Sequence, residues 1–403
     1  MDQDGNLPAL RPLQITPFRG EDQQLYFELR DMLRIAPQAL VLSGAGYFVL
    51  AHLDGAHTRA DVQEALRRET GQAVPAAEID RVVDVLDHYA MLDTPRFAQA
   101  YASRRAEYLS APCRDSPESS VSAEAIRAQI GELLSGARPE RMDDVLGIVA
   151  PHLDYGRGAP GYRAAYTALS ASEPAERYIV LGTNHFGRST CAVATRKDFR
   201  TPLGLVGTDR TFIARLEERL GSGLCEHEFD HATEHSIELQ VQILQVLLGA
   251  RTFEIVPILC PDVCGPTGTN PVDGVGPSLD AVGEALGALL AGDARRTVLI
   301  AGADLSHVGT HFGDEMVATS RFLEAVEQHD RQLLALLGRG ACAWAMGRIR
   351  ASGNPTRICS LGCLYVLSRA AGGAPWRILV YHQAVDPATD ANVTCAAAVV
   401  SRA

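Results

Sequence analysis

Three short apolar runs in this chain each end in chemically capable side chains, at the point where a glycine-containing loop begins. Val145-Leu-Gly-Ile-Val-Ala150 is followed by Pro151, His152 and the loop Leu153-Asp-Tyr-Gly-Arg-Gly158. Tyr178-Ile-Val-Leu-Gly-Thr183 is followed by Asn184, His185, Phe186 and Gly187. Thr297-Val-Leu-Ile-Ala-Gly302 is followed by Asp304, Ser306 and His307. Such runs read as buried strands. Expected strands at 145–150, 178–182, 191–195, 254–259, 297–302, 377–382 and 394–400 alternate with expected helices at 123–135, 160–170, 208–220, 234–248, 279–291, 314–337 and 360–371. That alternation predicts an α/β fold, a sheet with helices on its faces. Ligands of open α/β sheets bind at the carboxyl ends of the strands. Three strand ends carrying His, His and Asp/His therefore read as a metal or catalytic site.

Composition narrows the class. With 403 residues the chain is long enough for two or three domains, and its net charge of -12 argues against a nucleic-acid partner. No apolar stretch is long enough to span a bilayer, and the start, Met1-Asp-Gln-Asp-Gly-Asn-Leu7, lacks the basic and apolar regions of a signal peptide. Nine cysteines, an odd number spread through a large chain, fit a reduced cytoplasmic protein better than a disulfide scaffold. Residues 1–112 read as a separate small domain, helical with a strand or two. It has a strand-turn-helix at Ala39–Leu50, a helix capped by Thr58 and another from Ile79 to Tyr89. The Pro- and Ser-rich stretch 113–122 reads as a linker to a second domain, 123–403.

Several motifs admit more than one reading. Glu234, Glu238 and Gln242 lie four apart on a helix that Thr233 could cap, as on a solvated face. His231-Ala-Thr-Glu-His235 matches the pattern of inverted zinc peptidases, although a helix beginning after His231 would break the required spacing. Cys260/Cys264 and Cys359/Cys363 could together form a four-Cys zinc site, against which stands their place in an α/β core. Asp198-Phe-Arg-Thr-Pro-Leu-Gly204 reads as a Pro/Gly turn, and His382 alone is more often structural than catalytic.

Taken in order, the pieces Ala150-Pro-His-Leu-Asp-Tyr155, Ile179-Val-Leu-Gly-Thr-Asn-His185, Asp198-Phe-Arg-Thr-Pro-Leu203, Glu234-His-Ser-Ile-Glu238, Ile255-Val-Pro-Ile-Leu259, Ala303-Asp-Leu-Ser-His-Val-Gly309, Ile358-Cys359 and Tyr381/Gln383 resemble the Memo family, known in bacteria as the B component of the AmmeMemoRadiSam system. The resemblance covers about 122–403. On the weaker basis of a Leu53-Asp-Gly55 turn between apolar segments, the N-terminal region resembles the winged-helix-like domains related to the PqqD peptide chaperone.

The resemblance implies a fold related to the class III extradiol (LigB-type) dioxygenases, which hold non-haem Fe(II) with two His and a Glu. It implies His152 and His185 as metal ligands, with Cys359 where those enzymes have the Glu. It implies His307 as the acid/base and Asp304 as its orienting neighbour. Fe(II) is the expected metal, with Cu or Zn as alternatives; a thiolate favours softer ions. Asp154, Tyr155, Asn184, Glu234, His235, Glu238, Tyr381 and Gln383 are expected around the pocket. The implied function is an oxygen-using mononuclear redox enzyme acting on a small molecule or peptide. The alternative is a non-catalytic protein that binds a peptide or modified residue and acts with AMMECR-like and radical-SAM partners. The chain departs from the family pattern at Leu153-Asp154, where Ala-Gly is usual, at Phe186 in place of a second His, and at Ser360-Leu-Gly362 in place of Gly-Arg-His.

Overall fold

The computed structural model describes residues 5–117, 121–136, 141–221, 223–263 and 267–402. Cys264, one half of a possible zinc pair, lies outside them. The chain divides into two compact units, Met1–Ala111 and Pro112–Ala403.

The first unit holds a three-stranded antiparallel sheet, Gln14–Arg19, Leu25–Arg30 and Leu40–Ser43, and helices Gly44–Leu50, Arg59–Thr70, Ala76–His88 and Pro95–Ser110. Thr58 caps its helix as expected, and does so reciprocally: its hydroxyl accepts from the Asp61 amide while Asp61 accepts from the Thr58 amide. Val62, Leu66, Ile79, Val83 and Leu86 close the core of this unit against Leu29, Met91 and Leu92.

The second unit is built on a mixed sheet, eleven-stranded among the described residues. Its centre is parallel and runs Val145–Ala150, Thr297–Gly302, Arg177–Thr183, Glu254–Cys260. Antiparallel strands Asn392–Ser401, Trp376–Ala384 and Asp304–Val308 extend one edge; the hairpin Asp198–Thr201/Gly204–Thr208 and the short Cys113–Asp115 extend the other. Alternate residues of each central strand enter opposite cores, as the two-residue strand period requires. Ile179, Leu181, Leu299 and Ala301 face one cluster, with the helices Leu279–Ala291 and Leu361–Ala370. Tyr178, Val180, Val298 and Ile300 face the other, with Ala159–Ser170 and Ser236–Leu248.

Three expectations need correction. The supposed linker begins with a strand: Cys113–Asp115 pairs parallel with Asp198–Arg200, and polar composition concealed it. Residues 198–204 are not a lone turn but most of a hairpin. Thr233 does not cap the next helix, which starts at Ser236; the Glu234 carboxylate accepts from the amides of His235 and Ser236 instead.

That helix start is placed by missing side chains. A Cβ on Gly182 would lie 2.5 Å from Ile237 Cγ1 and 2.6 Å from Ser236 Oγ, and one on Gly302 would lie 3.0 Å from the Ser236 carbonyl. Two strand-end glycines thus let the helix N-terminus rest on the sheet beside His185. Gly182→Ala is expected to destabilise the protein by about 1–3 kcal/mol, the usual cost of overpacking. Denaturant unfolding checks this; a midpoint equal to that of the natural sequence would contradict it.

Candidate metal centre

The parallel strands deliver His152 and His185 to the same edge of the sheet, and Cys359 enters from the loop before helix Leu361–Ala370. One donor atom from each lies within 4.8 Å of the others. Cys359 Sγ is 3.7 Å from His152 Nε2. Two such ligands on one tetrahedral ion, at about 2.3 and 2.1 Å, stand about 3.6 Å apart. The Cys359–His152 pair therefore has the spacing of two ligands on one transition-metal ion.

Each imidazole is oriented by its other nitrogen. His152 Nδ1 donates to the Gly302 carbonyl at 3.0 Å, which turns Nε2 toward Cys359. His185 Nδ1 is 3.1 Å from both oxygens of Glu234, and the His185 amide donates to the same carboxylate at 3.0 Å. This is the arrangement by which outer partners fix the tautomer of a ligating histidine. The two rings stand nearly perpendicular, at 85° with centroids 4.8 Å apart. His235 stacks on His185 at 5.2 Å and 14°, on the open side.

Charge is concentrated here. Burial opposes the Cys359 thiolate, but the imidazoles of His152 and His307 outweigh it and hold the thiol well below its ordinary range. Burial likewise opposes a charged His152, yet Asp304 and then Cys359 raise its pKa to about 9. For His185 the same opposition is overcome mainly by Glu234, which lies well below the carboxylate range in return.

Asp304 contacts His152, not His307. Its Oδ1 accepts from the His152 amide at 3.1 Å and its Oδ2 is 3.4 Å from His152 Nε2. Among the described residues no hydrogen bond or ion pair joins Asp304 to His307. The backbone orients that ring: His307 Nδ1 lies 3.1 Å from the Leu305 carbonyl and 3.2 Å from that of Arg357, and the His307 amide donates to Thr356 O at 2.7 Å. Phe312 meets the ring edge-on.

The other expected pocket residues divide into several roles. Asp154 closes its own loop, accepting from the amides of Gly156 and Arg157. Tyr155 is buried, its hydroxyl 2.8 Å from Leu239 O and 3.0 Å from Gln242 Oε1. Asn184 shapes the His185 loop by donating to Ser189 and Asp230 and accepting from Gly187. Glu238 is not on a solvated face but is buried and paired with Arg114. Tyr381 donates to the buried Asp330, and Gln383 to Leu323 O.

Sequence reasoning missed Ser360, Asp230 and Arg114. Ser360 Oγ accepts from the Asp304 amide and touches Thr183 Oγ1, Cys359 Sγ and His152 Nδ1. It follows Cys359 directly, and its exchange for the family's Gly was the available signal. Asp230 accepts from the amides of Arg188 and Ser189.

His231 is fully buried in a short 3-10 turn, Glu228–His231, with Nε2 3.0 Å from the Val193 carbonyl. The break before helix Ser236–Leu248 removes the spacing a peptidase motif needs. His231→Ala should leave metal content intact, as elemental analysis would show. Cys260 and Cys363 are both buried, and their thiols hydrogen-bond to each other.

A family model described as Memo-like protein matches residues 120–399. A MEMO1 family protein of Aquifex aeolicus is 24% identical over 87% of both chains. One from Thermus thermophilus is 27% identical over 75% of this chain and 86% of its own, and one from Methanopyrus kandleri is 35% identical over 45% and 60%. A solved structure of an uncharacterized Escherichia coli K12 protein aligns over 57% of this chain and 87% of its own. Its TM-score of 0.34 and identity of 15% carry no argument. The family model spans well over half of the sequence and includes His152, His185, Cys359, Asp304 and His307, and the chain therefore belongs to the Memo family.

Proposed function

We propose that this protein is a mononuclear metal-dependent redox enzyme, with His152, His185 and Cys359 as the metal ligands. The observation that carries this reading is the convergence of three donor atoms within 4.8 Å, two of them on imidazoles already oriented for ligation. Non-haem Fe(II) is the metal proposed, with copper and zinc as the alternatives that elemental analysis of anaerobically purified protein distinguishes. Bound there, iron or copper would supply electron transfer toward dioxygen, with the thiolate donating charge to the ion.

The chain's own residues do the rest. Glu234 and the Gly302 carbonyl each accept an Nδ1 proton and so aim Nε2 of both imidazoles at the metal site. His307, with Nδ1 turned to two backbone carbonyls, presents Nε2 as a site for taking up or releasing a proton. Phe186 rests against the His185 ring and Phe312 against the His307 ring. Oxygen uptake with and without candidate small molecules and peptides tests the reading. Consumption that depends on both metal and substrate supports it. Saturable ligand binding with no oxygen consumed and no product formed would favour the non-catalytic alternative.

Metal loading should also move protons. With its pKa raised to about 9, His152 carries two ring protons at pH 7 in the metal-free centre, as His185 does. Ligation needs both imidazoles neutral, so binding one ion at pH 7 should expel about two protons. Affinity should rise with pH from 7 through about 9, as His152 deprotonates unaided. Calorimetry in buffers of different ionisation enthalpy measures the count; no proton release would contradict this charge assignment.

A further inference from the structure

Arg114 is fully buried, with a side chain at 0% exposure. It lies in the strand Cys113–Asp115, in a stretch whose composition suggested only a linker. Its three nitrogens serve three partners: Nε donates to the His231 carbonyl at 3.1 Å, Nη2 to the Glu234 carbonyl and Nη1 to the Glu238 carboxylate. Phe199 packs under the guanidinium, 5.0 Å from its ring centre. Ser116 and Gln242 also donate to Glu238, so that carboxylate is held from three sides.

These partners span one short piece of chain. His231 ends the 3-10 turn, Glu234 is the residue whose side chain holds His185, and Glu238 lies in the first turn of the following helix. The segment 232–235 has no regular structure of its own. A planar guanidinium has five donors in a fixed fork and can hold two carbonyls and a carboxylate at once, which an ammonium cannot do in one geometry.

We propose that Arg114 is a positioning residue of the metal centre. By clamping the backbone at His231 and Glu234 it aims the Glu234 carboxylate at His185 Nδ1, and so turns His185 Nε2 toward the metal site. Its effect on metal binding rests on the reading given under Proposed function; its effect on the His185 ring does not.

Arg114→Met alone would leave Glu238 buried without its cation and could prevent folding. The test therefore uses Arg114→Lys, and the pair Arg114→Met with Glu238→Leu, which removes both charges together. Two readouts are needed. The first is zinc(II) affinity, titrated in competition with a chromophoric chelator. The second is the His185 Nδ1 proton in nitrogen-15 NMR spectra, downfield and slow to exchange when Glu234 holds it.

Both variants are expected to fold, to lose zinc affinity by about 10–100-fold, the usual effect of removing an outer partner, and to lose the slow Nδ1 proton. Glu234→Gln should produce the same changes. Adding Arg114→Lys to it should weaken binding no further, because the two residues act in series. Natural-sequence affinity together with an intact Nδ1 proton in both variants would overturn the proposal. So would losses that add in the combined variant. If the natural sequence takes up no zinc, the metal assignment fails and the ring proton alone decides: its loss in both variants upholds the clamp, and its persistence overturns it.

Discussion

Cys359→Ala should emerge from purification without metal and should not regain it on titration. The sulfur supplies the anionic donor among the three converging atoms, and the 3.7 Å separation from His152 Nε2 leaves one ion's width between them. Without it two imidazoles remain, one donor fewer and with no anionic sulfur to offset the charge of the ion. The loss of affinity should exceed the about 10–100-fold that removal of an outer partner costs. Cys260→Ser, made for comparison, should retain metal. Equal losses in the two variants would restore the four-Cys zinc reading.

His307→Ala should keep its metal and lose turnover by about 10²–10⁴-fold, the range for a general acid or base. The ring is pinned through Nδ1 to backbone carbonyls, an arrangement that orients it without making it a ligand. Imidazole is the side chain most often used as a general acid or base, so the variant should also lose one limb of the pH–rate profile. Metal analysis beside steady-state rates on a confirmed substrate separates the outcomes. Loss of metal would make His307 a ligand, and full activity would remove it from the mechanism.

The central sheet was legible because its strands are buried on both faces and read as unbroken apolar runs. Arg177–Thr183 and Glu254–Cys260 extend their expected strands by only a residue or two. The convergence of the two histidines was legible for a related reason: each lies one residue beyond such a run, and parallel pairing brings the run ends together, whereas Cys359 was named only through the family resemblance. What stayed hidden depends on contacts distant in sequence. Cys113–Asp115 is a three-residue edge strand with no periodicity to detect. The burial of Glu238 was misread because a carboxylate four residues from another looks solvated until a buried arginine, 124 positions away, is found beside it. The contact of Asp304 with His152 could not be read locally either, because sequence proximity favoured His307. Strand Asp304–Val308 escaped notice because its Asp-Leu-Ser-His alternation resembles a loop following a strand.

X-ray absorption at the metal edge tests the account most directly. On protein purified without oxygen, the account predicts one sulfur at about 2.3 Å and two imidazole nitrogens at about 2.0–2.1 Å, with the sulfur shell absent in any residual metal bound by Cys359→Ala. A centre of four sulfurs, or one of nitrogen and oxygen alone in the natural sequence, would contradict it.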